Sequence, residues 1–244
     1  MSLLRSLLFV AWIYLGMALI AALYAPWTLF SRAGARAAMR TWSRLVRIGL
    51  PIAGIKLIIE GRENIPEGPA LIAMKHQSMF DVTIPPQILD DPCIVYKAEL
   101  SSTPFMGFYL KRGRMIPVAR ETQAAALKAM LRAARAEVAA GRQMFIFPEG
   151  TRLKPGAPAQ YKPGVAALYR DLSLPCVPIA TNSGLYWPAK GLVRRPGTIV
   201  VRILPAIAPG LARDAFMREL EARIEAESDA LAGVRRTPAA AEAL

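Results

Sequence analysis

The chain has 244 residues, 54% of them hydrophobic, and a formal net charge of +13. This length suits one domain with a sizeable core and an appendage. An apolar and basic chain suits a membrane surface, because anionic headgroups attract Lys and Arg. Nucleic acid is the competing partner for a basic chain, but helix-turn-helix spacing, zinc ligands and basic–aromatic interleaving are absent, so we expect none. The two cysteines, Cys93 and Cys176, give no disulfide framework and are expected to be reduced in a cytosolic compartment.

The first long apolar run extends from Leu7 to Phe30, 24 positions without a charge. As a helix it would be about 36 Å long, enough to cross a hydrocarbon core of about 30 Å. Arginines follow the run, so the positive-inside rule puts the rest of the chain in the cytoplasm. The sequence therefore predicts a protein of the cell inner (cytoplasmic) membrane whose remaining residues face the cytoplasm. Gly16 and Pro26 leave a re-entrant hairpin open as the alternative to a full span.

A second helix is predicted from four arginines that recur at intervals of four, four and three and so share one face: Arg36, Arg40, Arg44 and Arg47. The pattern indicates an interfacial helix that lies on lipid headgroups. The alternative is an ordinary helix with a solvated basic face. Because residues 1–60 contain seven basic residues and one acid, we assign them to membrane-anchoring, interfacial helices that bind an anionic surface.

Short apolar runs then alternate with helix-like stretches. Strands are predicted at 70–74, 93–96, 115–118, 144–147, 176–180 and 198–203, and helices at 122–140, 163–171 and 210–232. This alternation is typical of an α/β domain with a mostly parallel central sheet flanked by helices. We therefore divide the chain into the N-terminal helical membrane-binding segment (1–60), the α/β domain (61–232) and a flexible tail (233–244).

His76 is the only histidine, and it stands where the predicted strand 70–74 gives way to a loop. Asp81 follows five residues later, a spacing that puts two side chains roughly 140° apart on one continuous helix. The chain must turn between them if they are to touch; Asp81 would then hold one ring nitrogen and leave the other as a base. The alternative is a capping box in which Ser78 and Asp81 serve only a helix start, and His76 is an ordinary satisfied histidine. One histidine and two dispersed cysteines predict no metal site.

A second motif, Pro148-Glu149-Gly150-Thr151-Arg152, follows the predicted strand 144–147. The proline stops sheet pairing, and the glycine lets backbone amides approach a ligand closely. Thr151 and Arg152 offer a hydroxyl and a planar cation, which suit a phosphate. By itself the motif could also be a plain turn with Arg152 paired to a carboxylate.

Taken together, His76-x4-Asp81 and Phe147-Pro148-Glu149-Gly150-Thr151-Arg152 resemble the signature motifs of the glycerophospholipid acyltransferase family, of the lysophosphatidic acid acyltransferase type. Further blocks resemble the family in the same order: Lys97-Ala98-Glu99-Leu100, Pro104-Phe105-Met106-Gly107, Gly113-x-Met115-Ile116-Pro117-Val118-Ala119-Arg120 and Val177-Pro178-Ile179-Ala180. Lys75 and Ala119 depart from the family, which often has Asn before the histidine and Asp before the arginine of the second block.

The resemblance implies transfer of a fatty acyl group from a thioester, acyl-CoA or acyl carrier protein, to the sn-2 hydroxyl of lysophosphatidic acid. His76 would be the general base, and Asp81 would orient it. The implied substrate-binding residues are Lys97, Arg120, Glu149, Gly150, Thr151 and Arg152. The cations of this set would hold the acceptor's phosphate, and Glu149 would orient Arg152 or a substrate hydroxyl. Backbone amides near the His76 loop or at Gly150 would stabilise the oxyanion. No cofactor is expected beyond the thioester co-substrate.

Alternatives remain at this stage. The acceptor could be another lyso-lipid, such as lyso-ornithine lipid, or glycerol 3-phosphate. Ser78 could act as a covalent nucleophile, although no Gly-x-Ser-x-Gly elbow is present. From other classes, the chain could be a lipid hydrolase or a non-catalytic lipid-binding protein.

Overall fold

A computed structural model describes residues 2–119 and 123–234. Within them, seven strands form one sheet: β1 (Ile55–Glu60), β2 (Leu71–Met74), β3 (Cys93–Lys97), β4 (Ile116–Val118), β5 (Met144–Ile146), β6 (Cys176–Thr181) and β7 (Gly197–Ile203). The strand order is β1-β7-β6-β2-β5-β3-β4. Neighbouring strands are parallel except β6 and β7, so β1 and β7 run opposite to the other five. The predicted α/β class with a mostly parallel sheet is confirmed.

The same residues contain eight α-helices: α1 (Ser2–Phe30), α2 (Arg32–Gly49), α3 (Pro85–Ile88), α4 (Met106–Arg112), α5 (Gln123–Ala139), α6 (Pro163–Leu172), α7 (Ser183–Tyr186) and α8 (Arg213–Ala232). Four short 3₁₀ turns connect elements: Leu50–Ala53, Arg62–Asn64, Met79–Thr83 and Ala98–Ser102. The long helices and all six predicted strands are present, with ends shifted by at most a few residues. Most of the predicted tail, from residue 235 onward, lies outside the described residues.

Strand β1 was not predicted, because residues 1–60 were assigned to N-terminal helices. In the structure the helical segment ends in the 3₁₀ turn Leu50–Ala53, and Gly54 then adopts a positive φ of 76°. The chain leaves that turn directly into β1, which pairs with β7 over its whole length. The sheet therefore begins at Ile55, inside the segment that the sequence analysis grouped with the membrane helices.

Both faces of the sheet are covered, which explains why its central strands read as continuous apolar runs. In β2, Ile72 and Met74 pack into a core shared with α1 and α2. Leu71 and Ala73 point the other way, into a core shared with α5, α6 and α8. The five strands β2 to β6 all end at one margin of the sheet, called the carboxyl edge below; the opposite margin is the amino edge.

Helices α1 and α2 form an antiparallel pair against the first of these cores. Close approach requires glycine at the contact: a Cβ on Gly34 would lie 2.6 Å from the Thr28 backbone nitrogen. The pair is also bonded together, since the Trp12 indole donates to the Leu45 carbonyl at 2.9 Å. Phe9 is fully buried and packs edge-on against Trp187, with ring centroids 5.2 Å apart.

Helix α1 is long and apolar enough to cross a membrane, and a third (33%) of its most apolar window is buried against protein. It is fastened to the domain near both ends. Arg5 donates to the Ile52 carbonyl at 2.9 Å, Tyr109 of α4 donates to the Ala21 carbonyl at 2.7 Å, and Arg112 of α4 donates to the Leu29 carbonyl. The outer face of α1 exposes large apolar side chains: Leu3, Leu4, Leu7, Leu8, Trp12, Leu15, Leu19, Leu23, Trp27, Leu29 and Phe30.

The arginine face of α2 divides into two parts. Arg40 lies 2.7 Å from Asp90, and Arg36 lies 3.9 Å from Asp91, both on the loop before β3. Arg44 and Arg47 are exposed. The predicted helical face is real, but half of it pairs with carboxylates of the domain.

Candidate active site

The loop after β2 folds so that one carboxylate organises it. The 3₁₀ turn Met79–Thr83 starts at Ser78, whose hydroxyl accepts the Phe80 amide hydrogen. Asp81 Oδ2 in turn accepts the amide hydrogens of Gln77 at 2.7 Å and Ser78 at 2.8 Å. The capping box considered as an alternative is therefore present.

The same carboxylate also contacts the histidine, so Asp81 can cap the 3₁₀ turn and orient His76 at the same time. Asp81 Oδ2 lies 3.1 Å from His76 Nδ1. A carboxylate only accepts, so this contact requires a proton on Nδ1, and in the neutral ring Nε2 then has the lone pair. The Phe147 ring stacks on the imidazole with centroids 4.1 Å apart and 26° between planes. The His76 side chain is 13% exposed and Asp81 is fully buried. The site thus presents one oriented imidazole that is partly accessible to solvent.

Sequence reasoning missed Ser183, which donates from Oγ to Asp81 Oδ1 at 2.6 Å. It follows β6, the parallel neighbour of β2, so both strands deliver their loops to the carboxyl edge. The available signal was a serine just after the predicted strand 176–180. Asp81 is left with both oxygens occupied and one fixed orientation.

Two hydrogen bonds that involve the backbone of His76 join the two signature motifs. The His76 amide donates to Glu149 Oε2 at 2.9 Å, and the Leu153 amide donates to the His76 carbonyl at 2.9 Å. Gly150 adopts a φ of 64°, a left-handed conformation that favours glycine, and this turns the chain after Glu149. The loops therefore lie on the same side of the sheet.

Glu149 does not face Arg152 or solvent, contrary to the prediction. It is 1% exposed, and its Oε1 lies 3.0 Å from Lys75 Nζ. Burial raises the pKa of Glu149 to about 7, although Lys75 and the His76 amide oppose that change. Its position makes it a support beneath the His76 loop.

The predicted cations are partly accounted for. Arg152 is exposed and donates to the Ala189 carbonyl at 3.4 Å. Lys97 ends β3 at the carboxyl edge, 3.2 Å from Glu99. Thr151 is exposed beside Arg152. Arg120 lies outside the described residues.

Four backbone amides near the base already have acceptors inside the protein. Those of His76, Gln77 and Ser78 bond to carboxylates, and that of Gly150 bonds to the Phe147 carbonyl at 3.0 Å. They are not available to an oxyanion in this conformation. Ser78 is fully buried as a cap, which also removes it as a covalent nucleophile. Among the described residues no group of three His, Cys, Asp or Glu side chains could hold a metal ion.

The acyltransferase family pattern matches residues 56–182, just over half of the chain. The chain is also 35% identical over 196 residues to a 1-acyl-sn-glycerol-3-phosphate acyltransferase of Pseudomonas aeruginosa, covering 80% of this chain and 76% of that protein. The chain belongs to this acyltransferase family. A further relative of this acyltransferase is 1-acyl-sn-glycerol-3-phosphate acyltransferase alpha of mouse, 26% identical over 64% of this chain and 56% of that one.

The fold is shared with a crystal structure, the 1-acyl-sn-glycerophosphate acyltransferase PlsC of Thermotoga maritima. The TM-score is 0.77 at 20% sequence identity, over 97% of this chain and all of that one (100%). The agreement covers nearly the whole acyltransferase, including the region of α1 and α2.

Proposed function

We propose that this acyltransferase moves a fatty acyl group from an acyl thioester, acyl-CoA or acyl carrier protein, to the sn-2 hydroxyl of lysophosphatidic acid, giving phosphatidic acid. The observation that carries the proposal is the contact of 3.1 Å between His76 Nδ1 and the fully buried Asp81. It supplies an oriented base in a chain whose relatives are named 1-acyl-sn-glycerol-3-phosphate acyltransferases.

In this mechanism His76 Nε2 takes the proton of the acceptor hydroxyl while the hydroxyl oxygen attacks the thioester carbonyl. Asp81 stabilises the imidazolium that forms. The tetrahedral intermediate collapses by breaking the carbon–sulfur bond, and the imidazolium returns the proton to the departing thiolate. A positioned base of this kind contributes roughly 10² to 10⁴ in rate. The acceptor is itself the nucleophile, so no acyl-enzyme forms.

The acceptor's phosphate is assigned to Arg152, Lys97 and Arg120. Arg152 supports this role through its position, because it follows the turn that holds Glu149 against the His76 amide. A guanidinium binds a phosphate through two parallel hydrogen bonds. Lys97 reaches the same sheet edge from β3.

We also infer that α1 attaches the enzyme to the cytoplasmic face of the inner membrane. Its apolar outer face and its fastening to the domain near both ends favour a helix that lies in one leaflet over a helix that leaves the domain to span the bilayer. Acceptor and product are both bilayer lipids, so this attachment would bring them to the base.

The test is acyl transfer in vesicles or detergent, with wild type and His76→Ala offered labelled acyl thioester and lysophosphatidic acid. We expect the variant to lose between about 10² and 10⁴ in kcat. Lyso-ornithine lipid and glycerol 3-phosphate are offered in parallel reactions. Consumption of only the amino-acid lipid would contradict the phosphate roles of Arg152 and Lys97. Fatty acid released without acceptor would indicate a hydrolase, and binding without turnover a lipid-binding protein.

A further inference from the structure

A buried ionic cluster lies behind the imidazole and takes no part in the proton transfer described above. Lys75 Nζ lies 2.6 and 2.7 Å from the two oxygens of Glu225 on α8, and 3.0 Å from Glu149 Oε1. The Tyr161 hydroxyl donates to Glu225 Oε1 at 3.0 Å. Lys75 is 2% exposed, so this is an ammonium fully withdrawn from water.

We propose that Lys75 and Glu225 are positioning residues for His76: they hold the Glu149 carboxylate where it accepts the His76 amide hydrogen, and thereby fix the backbone that carries the base. The inference rests on the proposed function for its catalytic readout.

The connection is short at every step. Lys75 directly precedes His76 in the chain, and its own amide continues the ladder with β6 by donating to the Ile179 carbonyl at 2.9 Å. Its side chain reaches across to Glu149, which returns to the His76 amide. This closed loop of contacts ties the end of β2 to the turn after β5. Glu225 fastens the ammonium to α8.

The charge on Glu149 decides how strongly that loop is held. An ionised acceptor makes a stronger hydrogen bond to an amide than a neutral one does. The described groups that act on this carboxyl are the Lys75 ammonium, which favours its ionised form, and the Glu225 carboxylate, which opposes it; the Tyr161 hydroxyl donates to that same Glu225 carboxylate. Burial opposes ionisation as well, and the balance brings its pKa to about 7. Small changes in these neighbours therefore change its charge under assay conditions.

Two substitutions should move the pH dependence of kcat in opposite directions. Lys75→Met removes the favourable cation, so Glu149 stays protonated to higher pH. We expect kcat at pH 7 to fall between about tenfold and a hundredfold with KM unchanged, and the loss to diminish as the pH rises. Glu225→Gln removes a like charge, so the acid limb of the profile should move to lower pH. Lys75→Arg restores the cation and should return the limb toward its wild-type position.

Arg142→Met is the matched control. Arg142 is also nearly buried, and its guanidinium contacts Glu137 at 2.7 Å, but at the amino edge of the sheet. It should lower the Tm much as Lys75→Met does and leave the pH profile of kcat unchanged. A merely structural role for Lys75 predicts the same behaviour in both variants.

The single histidine supplies a readout that needs no activity. In protein purified without a polyhistidine tag and labelled at the imidazole carbon Cε1, one NMR signal reports His76. Lys75→Met and Glu225→Gln should displace the pH dependence of that signal in opposite directions, whereas Arg142→Met should not. If wild type fails to acylate lysophosphatidic acid, the proposed function fails and this signal alone decides the positioning role. Unchanged titration in both variants, or displacement in the same direction, overturns it; if Lys75→Met does not fold, displacement by Glu225→Gln against Arg142→Met decides.

Discussion

Two buried ionic clusters sit at opposite edges of the same sheet, and they are built differently. At the carboxyl edge one ammonium, Lys75, faces two carboxylates. At the amino edge the Arg142 guanidinium contacts one Glu137 oxygen, while Arg114 contacts the other at 2.7 Å. Arg142 also donates to backbone carbonyls, including that of Pro92 at 2.7 Å.

The two clusters differ in whether one of their groups can change its charge with pH. A guanidinium stays charged and distributes its donors in a fixed plane, so the amino-edge cluster is a permanent brace between α5, β5 and the loop before β3. In the carboxyl-edge cluster two carboxylates share one ammonium, and burial, with a smaller contribution from Glu225, raises the pKa of Glu149 to about 7. Both clusters are buried, so they differ in their balance of charge rather than in their burial.

The largest expected effect comes from Asp81→Asn. The Gln77 and Ser78 amides and the Ser183 hydroxyl should keep the amide oxygen facing His76, so the variant loses charge and keeps geometry. A neutral neighbour no longer stabilises the imidazolium, and kcat should fall about 10²-fold or more. Steady-state kinetics on lysophosphatidic acid measure this. Asp91→Asn, at the amino edge, should lower the Tm and leave kcat unchanged. An equal loss of kcat in the two variants would contradict the prediction that only the carboxyl edge affects catalysis.

Glu149→Gln tests the carboxyl-edge cluster through the pH dependence of the free energy of unfolding. The pKa of Glu149 is raised from an ordinary 4.5 to about 7, so the folded protein holds an extra proton between those values. The contribution of the protonated Glu149 carboxyl to the unfolding free energy is complete below pH 4.5, and it is lost as the pH rises through 7. Between pH 5 and pH 8 the wild type should therefore lose about 2.5 kcal/mol of unfolding free energy relative to the Glu149→Gln variant.

Denaturant unfolding at the two pH values measures that difference. Glu137→Gln provides the comparison at the amino edge, where two guanidinium groups contact the carboxylate. A difference of the same size there would show that the two clusters do not differ in the way described.

A smaller effect is expected from Ser183→Ala, which removes a hydrogen bond of 2.6 Å to Asp81. A hydrogen bond to a charged group is worth about 1.5–3 kcal/mol, and the loosened carboxylate should lower kcat about tenfold. Ser43→Ala is the control, because Ser43 is equally buried and its hydroxyl donates to the Thr83 carbonyl. It should cost stability alone; if it lowers kcat as much as Ser183→Ala does, the role of Ser183 is not specific.

The smallest effect concerns the arginine face of α2. Arg44 is exposed, so Arg44→Ala should weaken binding to anionic vesicles by about 1 kcal/mol. Arg40 already faces Asp90 at 2.7 Å, so Arg40→Ala should weaken it less. Vesicle sedimentation at several salt concentrations compares the two. Equal losses would mean that Arg40 leaves Asp90 for the headgroups.

The fold class and the contact between His76 and Asp81 were predictable, because apolar runs and motif spacing are local signals. The partners at long range were not. Lys75 and Glu225 are 150 positions apart, and no periodicity connects them. Glu149 was expected to orient Arg152 or a substrate hydroxyl, and only the coordinates reveal that its side chain turns inward. Strand β1 was missed because residues 1–60 were assigned as a whole to the membrane-binding helices.

The packing of α1 against the domain has a practical consequence for the preparation of a water-soluble form of this enzyme. Phe9 packs against Trp187, which in turn lies 6.1 Å from Phe80 in the turn that begins beside His76. Deleting the first thirty residues to remove the apolar helix would also remove Phe9 and so expose part of the core that lies beside the His76 loop. Polar replacements on the outward leucines should preserve the enzyme where truncation would ruin it.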